Sequence, residues 1–312
     1  RLSHDEYDAT VQVLLDLAER PESSFAPDNV VGGYDNNAEA LVVSSLLADQ
    51  YRVSAEELAA AVVGSALSSI LPCSPQTLGE EECAEVFVGE FGARAFRRPM
   101  RPLDVDRYMM LYSDVAVDSG FEVGIQWVIT AMLQSPHYLY RSELGAQTEN
   151  GSFVLSDWEL ASELSYLLWG TMPDDDLFDK AAQGVLSDDS TRSEVVADML
   201  VDPRAAETMV RFSERWLQYT RLATVTRDAE LFPEFTDGIR SDMIGETKRL
   251  LRDSYLQGQT LEELFLGESS PMTAELAAYY GLKTGPSSVD ADGFGPVSLS
   301  GTERVGFLSQ GS

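Results

Sequence analysis

Residues 155–178 read LSDWELASELSYLLWGTMPDDDLF, and this stretch decides the fold. Ser156-Asp157-Trp158-Glu159 has the S-x-x-E form of a capping box: the serine oxygen covers a free helix N–H and the glutamate reaches back to the cap. Leu160, Leu164, Leu167 and Leu168 recur at helical spacing, which predicts one stripe facing a core. Trp169-Gly170 ends the helix, because glycine tolerates the left-handed cap conformation. Met172-Pro173-Asp174-Asp175-Asp176 then turns the chain and charges the start of a following helix.

The same grammar runs through the rest of the chain. Ser3-His4-Asp5-Glu6 is a second capping box, with Tyr7, Val11, Leu14, Leu15 and Ala18 behind it at helical spacing. Periodicity predicts further helices at 38–51, 55–70, 83–96, 103–116, 121–133, 193–201, 237–255 and 273–280. A long one starts at Pro203 behind an Asp202 cap, with Met209, Phe212, Trp216 and Leu217 expected on its inner face. Residues 21–37 read as a loop and 283–301 as irregular. Strand patterns are nearly absent, with at most a minor hairpin near the C-terminus, at 295–299. The expected fold class is therefore all-α, about a dozen helices in two packed bundles. The polar segment AQTENGS at 146–152 is the expected boundary, dividing an N-terminal helical domain, 1–145, from a C-terminal one, 146–312.

Composition excludes several functions. Of 312 residues 44% are hydrophobic, enough for a sizeable core. Asp and Glu number 52 against 22 Lys and Arg, a formal net charge of -30. Such a field repels phosphate backbones and anionic lipid, so no nucleic-acid partner is expected. No apolar run reaches the ~18–20 residues that span a membrane. The only histidines are His4 and His137 and the only cysteines Cys73 and Cys83, which excludes a multi-histidine metal centre or a Cys₄ site within this chain. No Cys-x-x-Cys-His occurs, so no c-type haem is attached covalently and no cofactor is expected on this chain alone. Cys73 and Cys83 flank the turn-rich SPQTLGEEE, where a disulfide would staple two helices; two inert thiols are the alternative.

Candidate sites are few. Asp174 to Asp176 could ligate Ca²⁺, although complementing a helix dipole is the plainer reading. Asp290-Ala291-Asp292-Gly293 resembles part of a calcium loop without the later glutamate. The metal candidates are thus Asp174, Asp176, Asp290 and Asp292, all for calcium. Asp28 and Asp35 flank Gly32-Gly33 and could converge on a cation or a sugar, or simply form Asx turns. His137 sits beside Tyr138 and Tyr140 and reads as packed among aromatics; His4 reads as solvated behind its cap. Trp127, Trp158, Trp169 and Trp216 read as core residues before a sugar-stacking platform. Arg94, Arg97, Arg98 and Arg101 form a dense basic spot, expected to pair with internal carboxylates. No catalytic residue is identifiable.

Several motifs occur together in one order: Arg1-Leu2-Ser3 with Glu6-Tyr7, Tyr34-Asp35-Asn36-Asn37, Arg94-Ala95-Phe96-Arg97-Arg98-Pro99, and Gln134-Ser135-Pro136-His137-Tyr138-Leu139-Tyr140-Arg141. After the 155–176 stretch come Asp202-Pro203-Arg204, Glu230-Leu231-Phe232-Pro233 and Gly306 to Ser312. Across nearly its whole length the chain resembles large secreted proteins of planctomycetes and myxobacteria. These are built from planctomycete-specific domains of unknown function and are often cytochrome-c-associated. The resemblance implies export to the periplasm or the extracellular space. It also implies an accessory or binding module of a redox assembly, one that acts on extracellular polymer. Any haem would then come through a partner or a missing domain. The expected partner is a second polypeptide, either a C-terminal continuation of the same precursor or a cytochrome-type protein. The chain lacks an initiator Met and stops inside a motif that relatives continue past, so a trimmed product, truncated or processed at 312, is expected. Two other functions compete: a carboxylate-based enzyme acting on polysaccharide, and a calcium-stabilised structural protein.

Overall fold

A computed structural model describes residues 1–18 and 24–312, so residues 21–23 of the loop expected at 21–37 lie outside the described residues. The chain is mostly α-helical and forms two compact units, Arg1–Asp198 and Met199–Ser312.

In the first unit α1 (His4–Leu15) opens on the full Ser3/Glu6 capping box. α2 (Ser45–Ser65) starts on Ser44, whose Oγ accepts from Leu47 N at 3.1 Å. Two helices were expected here; Arg52-Val53-Ser54 contains no breaker, so one helix runs through. The short α3 (Leu67–Ile70) and α4 (Pro75–Leu78) lead to α5 (Glu80–Phe96). α6 (Pro102–Ser119), α7 (Phe121–Leu133) and α8 (Pro136–Leu139) follow. A small hairpin, β1 (Ala146–Gln147) with β2 (Phe153–Val154), occupies the polar segment before α9 (Asp157–Leu168) and α10 (Asp175–Gln183).

α7 lies at the centre, against α2, α5 and α6. Its apolar face is buried throughout: Phe121, Ile125, Val128, Ile129, Met132 and Leu133. Each such side chain contributes about 1.5–3 kcal/mol on burial. A Cβ at Gly124 would lie 2.7 Å from the Tyr112 ring, so the glycine lets α6 and α7 close on each other. Tyr7 of α1 stacks on Tyr51 of α2 at 5.2 Å and meets Tyr138 edge-on at 5.7 Å, which ties both ends of the unit into one core.

α9 caps as its sequence predicts, on Ser156 and Glu159, and Gly170 takes a left-handed φ of 66° after its end. The leucine stripe, however, is not its buried face. Ala161, Ser162, Ser165 and Tyr166 are buried, whereas Leu167 is 60% exposed. Tyr166 reaches α1, with its hydroxyl 2.8 Å from Thr10 Oγ1. That contact places α9 in the first unit. The packing therefore divides far beyond the expected boundary at 145/146, within α11 (Asp189–Val201).

The second unit holds α12 (Pro203–Leu217), α13 (Asp237–Leu256), α14 (Leu261–Leu266) and α15 (Ala274–Tyr279). The strand expected at 295–299 exists as β4 (Gly295–Ser298). Its antiparallel partner is the distant β3 (Ser269–Met272), which packs on α13. Ile239, Met243, Met272, Leu276, Val297 and Leu299 form this core. On α12 the expected inner face is wrong. Ala205, Ala206, Val210 and Ser213 are buried, while Met209, Phe212 and Trp216 are 42%, 48% and 63% exposed. Burial selects the small side of the helix, where backbones approach closely, over the bulky side.

Cys73 and Cys83 form a disulfide with Cα atoms 5.7 Å apart, joining the α3–α4 link to α5. Replacing both by serine is expected to lower the unfolding free energy by about 2–3 kcal/mol, because a short closed loop is opened in the unfolded chain. A thermal midpoint that does not move between the two proteins would contradict this.

Candidate functional site

The turn after α5 builds a cleft in the first unit. Arg97 adopts a left-handed backbone, φ 55°, and closes α5 by donating its N–H to Ala93 and Arg94 carbonyls. Pro99 and then Pro102 prevent the helix from resuming until α6. This folds Arg97, Arg98 and Arg101 toward His137 and Tyr140 of the α8 segment and toward the first turn of α9. The cleft they enclose has a volume of about 450 Å³, and Trp158, Glu159 and Ser162 form its far wall. It falls within the usual size of small-ligand sites.

The three arginines do different jobs. Arg97 is buried, 4% exposed, and its guanidinium donates to the carbonyls of Ala95, His137, Tyr138 and Tyr140 at 2.9–3.1 Å. It lies over the Tyr166 ring, 5.6 Å from the centroid, and reaches the Tyr166 hydroxyl at 3.5 Å. Arg101 grips Asp104 with two bonds, Nε at 2.7 Å and Nη2 at 2.9 Å, and Arg98 reaches the same carboxylate at 3.4 Å. The Arg101 hydrogen bond holds the Asp104 carboxyl down to about 2. Arg94 pairs with Asp175. The expected pairing with internal carboxylates is thus seen for Arg94, Arg98 and Arg101; Arg97 is held by carbonyl oxygens instead.

The charge that remains is positive. Three guanidinium groups, on Arg97, Arg98 and Arg101, meet two carboxylates, Asp104 and Glu159. Glu159 is already engaged. Burial raises its carboxyl, but the N–H groups of Ser156, Gly145 and Leu144 and the Ser156 hydroxyl outweigh that and hold it below the usual range. Burial lowers His137, and the Arg98 charge lowers it further. Its ring lies 5.4 Å from Phe96 but the residue is exposed, so it is a cleft-wall histidine and not one packed among aromatics. Trp158 is half-buried against Phe178 at 5.9 Å and lines the cleft; Tyr140 is 39% exposed beside it. On a chain of net charge -30, a cleft with surplus cations and aromatic walls suits an anionic ligand that carries a ring or an apolar face.

The other candidate residues fall elsewhere. Asp174 caps α10 by accepting from Leu177 N at 3.1 Å, and Asp176 pairs with Lys180. Asp290 and Asp292 come together, but on the Arg249 guanidinium. Among the described residues no group of three or more His, Cys, Asp or Glu could hold a metal ion. Asp28 does not converge with Asp35 on an open site. Its carboxylate accepts from His4 N at 2.8 Å, lies 3.2 Å from His4 Nε2 and pairs with Arg1. His4 is accordingly buried, not solvated. Of the tryptophans only Trp169 is buried; Trp127 is 47% exposed. Sequence reasoning missed Arg97 and Tyr166 as a pair, since 69 positions separate them. The one local signal was an arginine-proline run directly after a helix.

Seen as a whole, the chain is an assembly of domain families whose roles are undefined. Residues 1–64 match the PSD3 family, a protein of unknown function (DUF1587). Residues 83–143 match PSD5 (DUF1595), and residues 155–282 match PSD4 (DUF1592), with the same description. Neither the curated proteins nor the solved structures contain a match to the chain. The cleft draws its arginines and His137 from the PSD5 segment and Trp158 and Glu159 from the PSD4 segment.

Asp104 sets a pH dependence. A depressed carboxyl stabilises the fold above its unfolded value near 3.8 and loses that contribution as pH falls toward about 2. Asp104→Asn is expected to cost about 1–2 kcal/mol at pH 7 and to flatten the loss of stability between pH 4 and 2, as followed by urea titration at each pH. Arg97→Lys, which cannot reproduce the guanidinium fork, is expected to cost about 2–3 kcal/mol at every pH in that range.

Proposed function

We propose that this chain is a binding module of an exported assembly, and that the Arg98–His137–Trp158 cleft takes an acidic saccharide of an extracellular polymer. The surplus of guanidinium groups in an aromatic-walled cleft, on an otherwise strongly acidic chain, carries the reading. A uronate unit offers both halves of the match: a carboxylate for Arg98 or Arg101, and a C–H face for Trp158 or Tyr140. The long-range field of the chain disfavours a highly charged polyanion, so recognition is local and reads single acidic units.

Export is supported by the Cys73–Cys83 disulfide, a bond that persists in oxidising compartments. Among the described residues no helix is long and apolar enough to cross a membrane. The resemblance to cytochrome-associated secreted proteins supports a second polypeptide as partner, a continuation of the same precursor or a cytochrome-type protein. Any haem belongs to that partner in this reading, and the module's part is to hold polymer for it.

Titration with a hexamer of galacturonate, followed by calorimetry, tests the reading. Binding is expected, and Arg98→Ala or Trp158→Ala should weaken it by about tenfold or more, that is by about 1.4 kcal/mol or more. Binding should also weaken as salt is raised. A complete lack of binding, or affinity in both variants unchanged from the parent, would sink the proposal.

A further inference from the structure

The polar segment between α8 and α9 carries a dipeptide that occurs once in the chain. Of the four asparagines, Asn29, Asn36, Asn37 and Asn150, only Asn150 is followed by glycine. Asn150-Gly151 sits at the tip of the β1–β2 hairpin, where Asn150, Gly151 and Ser152 are all exposed. The ladder behind the tip is two residue pairs long, Ala146 with Val154 and Gln147 with Phe153, and all four residues are exposed. Gly151 has a left-handed φ of 83°, and apart from its chain neighbours no atom lies within 4 Å of where a Cβ would stand. So short and open a hairpin unpairs locally at little cost.

The tip also arranges the side-chain amide. Asn150 Oδ1 accepts from the Ser152 N–H at 3.2 Å and from the Thr148 hydroxyl, whose one proton is shared with Ser152 O, 2.9 Å away. Among the described residues nothing bonds to Asn150 Nδ2, so the amide turns its oxygen to donors and its nitrogen to water. Negative charge that develops on Oδ1 during attack at Cγ therefore meets donors already in place. The nearest nucleophile is the backbone nitrogen of Gly151, which closes a five-membered ring when it reaches Cγ. Glycine leaves that nitrogen unshielded and lets the backbone rotate into line. One contact opposes the reaction: the Gly151 N–H donates to Thr148 O at 3.0 Å and must let go first.

We infer that Asn150 is a self-modifying site, which loses its side-chain amide as ammonia. Gly151 N bonds to Asn150 Cγ, the Cγ–Nδ2 bond breaks, and the proton given up by Gly151 N leaves with the departing group as ammonia. Water then opens the cyclic imide at one of its two carbonyls, which leaves aspartate or isoaspartate at position 150. Water is the only co-reactant. Either product adds one negative charge beside Glu149. Isoaspartate also lengthens the main chain by one carbon inside the loop, between Thr148 and Ser152, where Thr148 N–H now donates to Ser152 O at 2.8 Å. The base of the hairpin stays held, because the N–H groups of Leu144 and Gly145 bond to Glu159, so the change is confined to the tip.

The test ages the whole chain beside the free peptide Thr-Glu-Asn-Gly-Ser, with both followed by mass spectrometry. Each conversion raises the mass by about 1 Da. The protein is expected to convert within about tenfold of the peptide's rate, since the tip opens easily, and digestion should place the change at residue 150 with isoaspartate as one product. The rate should rise about tenfold per pH unit between pH 6 and 8, because the attacking nitrogen must lose its proton. Asn150→Gln, whose longer side chain would have to close a six-membered ring, should stay unconverted over the same period. Gly151→Ala should slow conversion about tenfold, since a side chain there restricts the backbone. The inference is overturned if the peptide converts and the protein does not, or if Asn150→Gln gains mass at the parent's rate. A glycan found on Asn150 in protein from its native source would also overturn it, since Asn150-Gly151-Ser152 has the N-x-S acceptor form.

Discussion

The buried guanidinium of Arg97 is the contact on which the first unit depends. It sits at the end of α5, takes carbonyl oxygens from the α8 segment, and lies over Tyr166 of α9. Tyr166 in turn reaches Thr10 of α1, and Arg141 also lies over its ring, 5.2 Å from the centroid. One charge therefore joins four elements far apart in sequence. A buried cation must be solvated by something, and three carbonyls at the frayed end of a four-residue helix do what water would otherwise do. The same arrangement places a guanidinium in the lining of the first-unit cleft.

The acidity of the chain gives this local charge its meaning. With 52 acidic residues against 22 Lys and Arg, most cations are taken up by nearby carboxylates, as Arg52 is by Asp49 and Glu56 and Arg249 is by Asp290 and Asp292. Where a guanidinium is held by carbonyls instead, its field is not cancelled at short range. Arg97 meets carbonyls in this way, whereas Arg249 is paired with Asp290 and Asp292 and lies over the Phe294 ring.

Helix ends were legible because they are chemistry between residues three or four apart. Ser3 with Glu6, Ser156 with Glu159, and Asp202 before Pro203 all cap as their spacing demands. Helix faces were legible where hydrophobicity was overwhelming, as along α7. They were misread on α9 and α12. There Leu167, Met209, Phe212 and Trp216 are exposed, while Ala161, Ser162 and Tyr166 on α9 and Ala205, Ala206 and Val210 on α12 pack. Of the first cleft, the arginine cluster was visible in sequence and its aromatic wall was not, since Trp158 reads as an ordinary helix residue. Asp290 and Asp292 were visible but suggested calcium; Arg249, 41 and 43 positions away, had left no trace of its claim on them.

The amino-acid order alone therefore determined that the chain is helical and where its main helices cap. These follow from short-range periodicity, which needs no partner segment. Only the tertiary structure decided which arginine is buried and which carboxylates are already occupied. Those outcomes depend on contacts across tens of residues, and burial alone turns a charge from a solvated group into one that must be answered.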